Sequence, residues 1–190
     1  MSTDACFPAL REMLTDHDAF LVCCYSPHPL VPALRQALQA RGEYRKPVTG
    51  IFEASVAACL QLLSPGEGGR FGIVSTGAQW SAILDEAVAS LLGTSSSERY
   101  VGTETTGLNA DALHVAPKAE VEEKMREATR RVLRRGARAV CLGCAGMVGL
   151  GEVVREAAVE ELGEEGWGVR VVEGVAAGVG FVVGALRAGL

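Results

Sequence analysis

The 190-residue sequence lacks any apolar run long enough to cross a bilayer. The longest, between Glu173 and Arg187, falls short of the roughly 20 residues a spanning helix needs and is rich in Gly and Ala. A secretory signal is not expected either, because Met1-Ser2-Thr3-Asp4-Ala5-Cys6 offers no basic segment followed by an apolar one. A basic footprint is missing: the formal net charge is −5. Nucleic acid is therefore not expected as a partner, since phosphate binding needs clustered cations. No strand is followed by G-x-x-x-x-G-K-S/T or G-x-G-x-x-G, so no phosphate cradle is expected. Histidine is scarce, with three in the chain, and no Ser-His-Asp constellation can be traced. These absences predict a cytoplasmic protein with no membrane contact, whose six cysteines are mostly reduced thiols rather than a disulfide framework.

What is present is an ordinary globular composition, 48% apolar and 22% charged, with short apolar strands alternating with amphipathic helices. Strands are predicted at Ala19–Cys23, Pro47–Ile51, Phe71–Val74, around Arg99–Thr103, at Ala139–Leu142 and at Val169–Val172. Helices are predicted at Pro29–Ala40, Glu53–Leu63, Ala78–Leu92, Glu120–Arg135, Gly151–Leu162 and Val175–Leu186. Ser64-Pro65-Gly66-Glu67-Gly68-Gly69 reads as the clearest linker. The cations Arg130, Arg131, Arg134 and Arg135 fall late in a helix, where they suit its dipole, and are read as structural. Strand–helix alternation implies an α/β fold with parallel pairing and right-handed crossovers. Function in such folds collects at the carboxyl ends of the strands.

Those ends carry Cys24-Tyr25-Ser26-Pro27-His28, Ser75-Thr76-Gly77, Gly143-Cys144-Ala145-Gly146-Met147 and Glu173-Gly174. Cys144 is the sharpest candidate. Gly143 and Gly146 let backbone amides approach a ligand, and a helix start nearby favours a thiolate. The competing reading is a small buried hydrophobe. Cys24 invites the same two readings, because Cys23-Cys24 could be strand interior. Cys6, Cys23, Cys59 and Cys141 are read as structural, with Cys23 facing away from Cys24 by strand alternation. Cys141-Leu142-Gly143-Cys144 has C-x-x-C spacing but no second pair, so neither a zinc site nor a thioredoxin-type redox pair is expected. His28 is placed at the same mouth as Cys24, and His17 and His114 on the surface. Ser75 and Thr76 read either as an anchor for a carboxylate or carbonyl oxygen or as a helix N-cap.

Three segments together resemble the aspartate/glutamate/hydantoin racemase family, nearest its hydantoin and allantoin branch. They are Pro47-Val48-Thr49-Gly50-Ile51-Phe52-Glu53-Ala54, Phe71-Gly72-Ile73-Val74-Ser75-Thr76 and Leu142-Gly143-Cys144-Ala145-Gly146-Met147. Cys24 matches the family's first cysteine, although Cys23-Cys24-Tyr25-Ser26-Pro27 departs from the usual Ala-Cys-Phe-Gly-Asp. The family's opening strand and Asn-Pro-Asn-Ser/Thr loop have no counterpart here.

The resemblance implies two pseudo-symmetric α/β lobes. Residues 1–68 form an N-terminally truncated first lobe and 69–168 the second, while 169–190 provide a strand and helix returning to the first. It implies a cofactor-independent racemase or epimerase with Cys24 and Cys144 as paired acid and base. Ser26, Ser75, Thr76, Gly143, Ala145 and Gly146 would hold a small-molecule substrate of hydantoin, allantoin or amino-acid type. The two sulfurs would flank one carbon and lie roughly 6–8 Å apart. No metal or organic cofactor is implied, and the open first lobe leaves room for a homo-oligomer. The alternatives are a single-thiol decarboxylase or cis–trans isomerase of the same superfamily, or a non-catalytic remnant.

Overall fold

The computed structural model describes residues 3–64 and 68–190. Pro65, Gly66 and Glu67 of the expected linker, and Met1 and Ser2, lie outside the described residues.

The first sheet pairs β1 (Phe20–Val22) with β2 (Val48–Gly50) in parallel, Leu21 opposite Thr49. Phe20 and Val22 point into a small core with Val48. Helix α1 (Thr3–Glu12) brings Phe7 and Leu10 to this core, and α2 (Leu30–Ala40) buries Leu30, Val31, Leu34 and Leu38 there. Their spacing is that of one helical face.

Helix α3 (Ile51–Leu62) follows β2 without a loop and is buried on most sides, at Ile51, Phe52, Ala54, Ser55, Val56 and Cys59. A helix apolar all round must be covered all round. This one is covered by the first sheet, by α8 (Gly174–Ala188) and by the second sheet.

The second sheet is wholly parallel, in the order β4–β3–β5–β6, with β3 (Phe71–Ser75), β4 (Tyr100–Thr105), β5 (Ala139–Leu142) and β6 (Arg170–Glu173). Its faces follow the two-residue alternation of a strand. Phe71, Ile73, Ala139, Cys141 and Val172 meet α3 and α4 (Trp80–Leu92). Val74, Val140 and Leu142 meet α6 (Lys118–Arg134) and α7 (Gly151–Leu162). Burial on both faces explains why these strands read as unbroken apolar runs.

Two expectations change. The strand near residue 170, expected to return to the first lobe, completes the second sheet beside β5, and α8 alone crosses over. In α4 the apolar residues Trp80, Ile83, Leu84, Ala87, Val88 and Leu91 recur at helical spacing and predict one inward face, but the buried face is narrower: Leu84, Ala87 and Val88 are buried, while Ile83 and Leu91 are exposed beside α3.

The arginines of α6 bind carboxylates. Arg126 and Arg130 reach Glu156 and Glu160 of α7, and Arg134 grips Glu161 through two bonds of 2.7 and 3.0 Å. Arg131 and Arg135 share Glu104 of β4. The Arg134 contact holds the Glu161 carboxyl below its ordinary value. A carboxyl depressed in the folded state contributes stability above its ordinary range and loses it as pH falls through the depressed value. The difference in melting temperature between native protein and Glu161→Gln should therefore be largest near neutrality and vanish in acid.

Thr129 of α6 is fully buried and its hydroxyl has no hydrogen-bond partner. Valine keeps its shape and removes the stranded group. Thr129→Val is expected to stabilise by about 1 kcal/mol, read as a higher urea midpoint at unchanged slope.

Candidate active site

β1 ends at Val22, and the two cysteines after it, Cys23 and Cys24, are both exposed. Cys23 is thus not a core residue. The strand stops before the alternation that would have buried it. Cys24 Sγ lies 3.5 Å from Ser26 Oγ. The next residue, Tyr25, is buried, with its ring edge-on to Phe52 and its hydroxyl 2.8 Å from Ser55 Oγ. Burial, aided by neighbouring Cys141, pushes this phenol well above its ordinary value, so it stays protonated. Gly174, the first residue after β6, faces the same ring: a Cβ there would lie 3.3 Å from Tyr25 Cε2. Tyr25 therefore pins the loop carrying Cys24 to the carboxyl edge of the second sheet. His28 is half-buried, and its Nδ1 accepts from Leu30 N at 3.2 Å, which fixes the ring at the start of α2.

β5 ends at Leu142, and Cys144 lies two residues on, the same interval that separates Val22 from Cys24. Gly143 N donates to Val74 O at 2.7 Å, and Ser75 Oγ donates to Gly143 O at 2.9 Å. Only glycine fits there, because a Cβ would meet Ile73 Cγ2 at 2.7 Å and Val74 O at 2.9 Å. Cys144 is half-buried and caps the 3-10 turn Ala145–Met147, its Sγ accepting from Gly146 N at 3.4 Å. Met147 anchors this turn in the second core.

Cys141, three residues earlier, points to the other face and meets Cys59 Sγ at 3.2 Å, 82 residues away in sequence. Both are fully buried. The shared hydrogen bond with Cys141, followed by burial, pushes the Cys59 thiol far above its ordinary value. The C-x-x-C spacing therefore does not correspond to a paired site: one member belongs to the interior and the other to the strand-end surface.

Ser75 and Thr76 do not cap a helix. α4 begins only at Trp80, with Gln79 as its N-cap. The Ser75 hydroxyl is committed to the Gly143 carbonyl and holds the Cys144 loop against β3. Thr76 is buried, and its carbonyl accepts from Gly107 N at 3.1 Å.

Three polar side chains outside the expected site residues also reach this edge. The carboxamides of Gln79 and Asn109 crowd the space above Gly77. His114, on the short helix α5 (Ala112–Val115), is exposed but borders Gly146. All three follow β3 or β4 and could have been found by the strand-end rule that singled out Cys24 and Cys144. Cavities of about 310–390 Å³ open elsewhere, for example between α3 and α4 under Pro27 and beside α2 and Phe181. Cys24 and Cys144 line none of these and sit on the open sheet edge.

Comparison with known proteins gives a consistent picture. The family model described as Asp/Glu/Hydantoin racemase matches residues 1–182. The chain is 36% identical over 186 residues to the uncharacterized protein C1F7.10 of Schizosaccharomyces pombe, covering 95% of this chain and 70% of that one. It is 30% identical over 164 residues to a hydantoin racemase of a Pseudomonas species, covering 86% of this chain and 56% of that protein. The solved structure of allantoin racemase from Klebsiella pneumoniae superposes with a TM-score of 0.71 at 25% identity, over 96% of this chain and 65% of that one.

Proposed function

Since the chain belongs to the Asp/Glu/Hydantoin racemase family, which places it among isomerase enzymes, we propose that it is a cofactor-independent racemase or epimerase using Cys24 and Cys144 as a base–acid pair. The observation that carries this reading is the repeated placement of an accessible cysteine two residues beyond a strand, once in each sheet. Inverting a carbon acid needs a base on one face and an acid on the other. A thiolate removes the proton beside a carbonyl, and the opposing S–H delivers one from the far side. The developing enolate oxygen needs fixed N–H donors. The backbone amides of Thr76, Gly77 and Ala145 serve there, held in place by the Ser75–Gly143 strut.

The substrate in this reading is a neutral cyclic ureide of the hydantoin or allantoin type. The strand-end segments 23–29, 76–79, 106–116 and 143–150 contain no Lys or Arg. They present the Gln79 and Asn109 carboxamides, which can both donate and accept, matching the N–H and C=O groups of a ureide ring.

The test is a chiral assay on enantiopure 5-substituted hydantoins, allantoin, glutamate and aspartate, with maleate and an arylmalonate alongside. Racemisation of a hydantoin or allantoin, lost in both Cys24→Ser and Cys144→Ser, supports the proposal. Decarboxylation or cis–trans isomerisation that survives loss of Cys24 would replace it with single-thiol chemistry. Iodoacetamide should label Cys24 and Cys144 before Cys59 and Cys141 in the native protein. Equal labelling of all four would contradict the site.

A further inference from the structure

A two-thiol racemase ends each turnover with its protons exchanged: the sulfur that began as thiolate is now S–H, and the donor has become thiolate. A further turnover in the same direction requires proton exchange with solvent. The two cysteines are unequally equipped for this. Cys24 has a hydroxyl, Ser26 Oγ at 3.5 Å, and the only imidazole of its loop, His28, already accepts a backbone N–H through Nδ1. Cys144 has His114.

The geometry around Gly146 sets this pair. The Cβ position of residue 146 lies 3.3 Å from His114 Nε2 and 3.6 Å from Cys144 Sγ, so thiol and imidazole are no more than about 7 Å apart, within reach of a short water bridge. The side chain at 146 is absent where one would stand between them. The placement is built in rather than incidental. Asp111 caps α5 by accepting from Ala112 N at 3.0 Å. Leu113 packs into the second core beside Cys144 and Met147, and α5 rests on the 3-10 turn. His114 is left on the solvent side of this anchor, exposed to water.

We propose that His114 is the proton-relay residue for Cys144, an inference that rests on the racemase reading. The Cys144 S–H proton passes to the imidazole Nε2, directly or through bridging water, and the imidazolium releases a proton to solvent from either ring nitrogen. The reverse sequence, from solvent through the imidazolium to sulfur, reprotonates the thiolate. Imidazole suits the task because it alone among side chains ordinarily changes charge between pH 5 and 8. His114 acts through Cys144 and does not touch the reacting carbon.

The experiment has two arms. In the first, native protein, His114→Ala and His114→Gln racemise 5-methylhydantoin in dilute buffer with and without added imidazole. The variants should lose about tenfold in kcat with KM little changed, and added imidazole should restore most of the loss while leaving native protein unaffected. Undiminished kcat in dilute buffer, or a loss that imidazole does not repair, overturns the relay. The second arm needs no turnover: NMR of the histidine rings is followed against pH in native protein, Cys144→Ala and Cys24→Ala. The His114 midpoint should move in Cys144→Ala and stay put in Cys24→Ala. An unmoved midpoint in Cys144→Ala overturns the thiol–imidazole couple whatever the activity. A moved midpoint in a protein that turns over none of the substrates sinks the racemase reading and upholds the couple.

Discussion

Cys144→Ser is expected to lower racemisation by about 10²- to 10⁴-fold while leaving the fold intact. The magnitude is that of removing one proton-transfer group from a transition state that needs two. The fold should tolerate the change because the sulfur is half-exposed and its one bond, from Gly146 N at 3.4 Å, is a contact that a serine oxygen can also accept. Serine nevertheless fails as the base, since its hydroxyl is far harder to ionise than a thiol near neutral pH. Chiral chromatography of the product beside a thermal melt checks both halves. A variant that melts normally and racemises at the native rate would remove Cys144 from the chemistry.

The second large effect concerns Gly143. Its φ is not in the left-handed region, so the demand for glycine is spatial. A methyl there would press on Ile73 Cγ2, the Val74 carbonyl and Ser75 Cβ at 2.7, 2.9 and 3.0 Å. The carbonyl is the hardest to move, because it accepts the Gly143 N–H. Gly143→Ala must therefore spread β3 from β5 at the site, at a cost of about 1–3 kcal/mol. The same displacement moves Cys144, and an error of about 1 Å in a reacting group can cost roughly a hundredfold in rate. Urea denaturation and kcat should fall together. Gly149→Ala, at a positive-φ position with open space around it, should cost stability through backbone strain but spare much more of the rate. Equal losses of rate in the two variants would show that Gly143 does not position the site.

Much of this was legible in the sequence because local rules agreed with the fold. The short unbroken apolar runs at Phe71–Val74 and Ala139–Leu142, and the helical spacing of Val121, Met125, Ala128 and Val132, predicted the second sheet and its cover. Cys144 stood out because it lies just past a buried strand between Gly143 and Gly146, where backbone amides can approach a ligand.

What stayed hidden was decided by partners distant in sequence. The Ser75 hydroxyl is a strut because a carbonyl 68 residues away needs it. Cys59 and Cys141 were read as buried, but nothing local says they touch. Cys23 was misassigned because β1 ends one residue sooner than its apolar run. His114 is exposed, as expected from the sequence, but nothing local shows what it stands beside. Its importance comes from a fold in which the segment after β4 comes to rest beside the turn after β5.

The opposed action of the two cysteines is tested most directly by stereospecific deuterium uptake. Each enantiomer of a 5-substituted hydantoin is incubated in deuterated water with Cys24→Ser and, separately, with Cys144→Ser, and exchange at the chiral carbon is followed by proton NMR. One variant should exchange only one enantiomer and the other only its mirror image, with neither producing racemate at the native rate. If both variants exchange the same enantiomer, or either exchanges both equally, the two sulfurs do not address opposite faces of one carbon and the paired-thiol account is wrong.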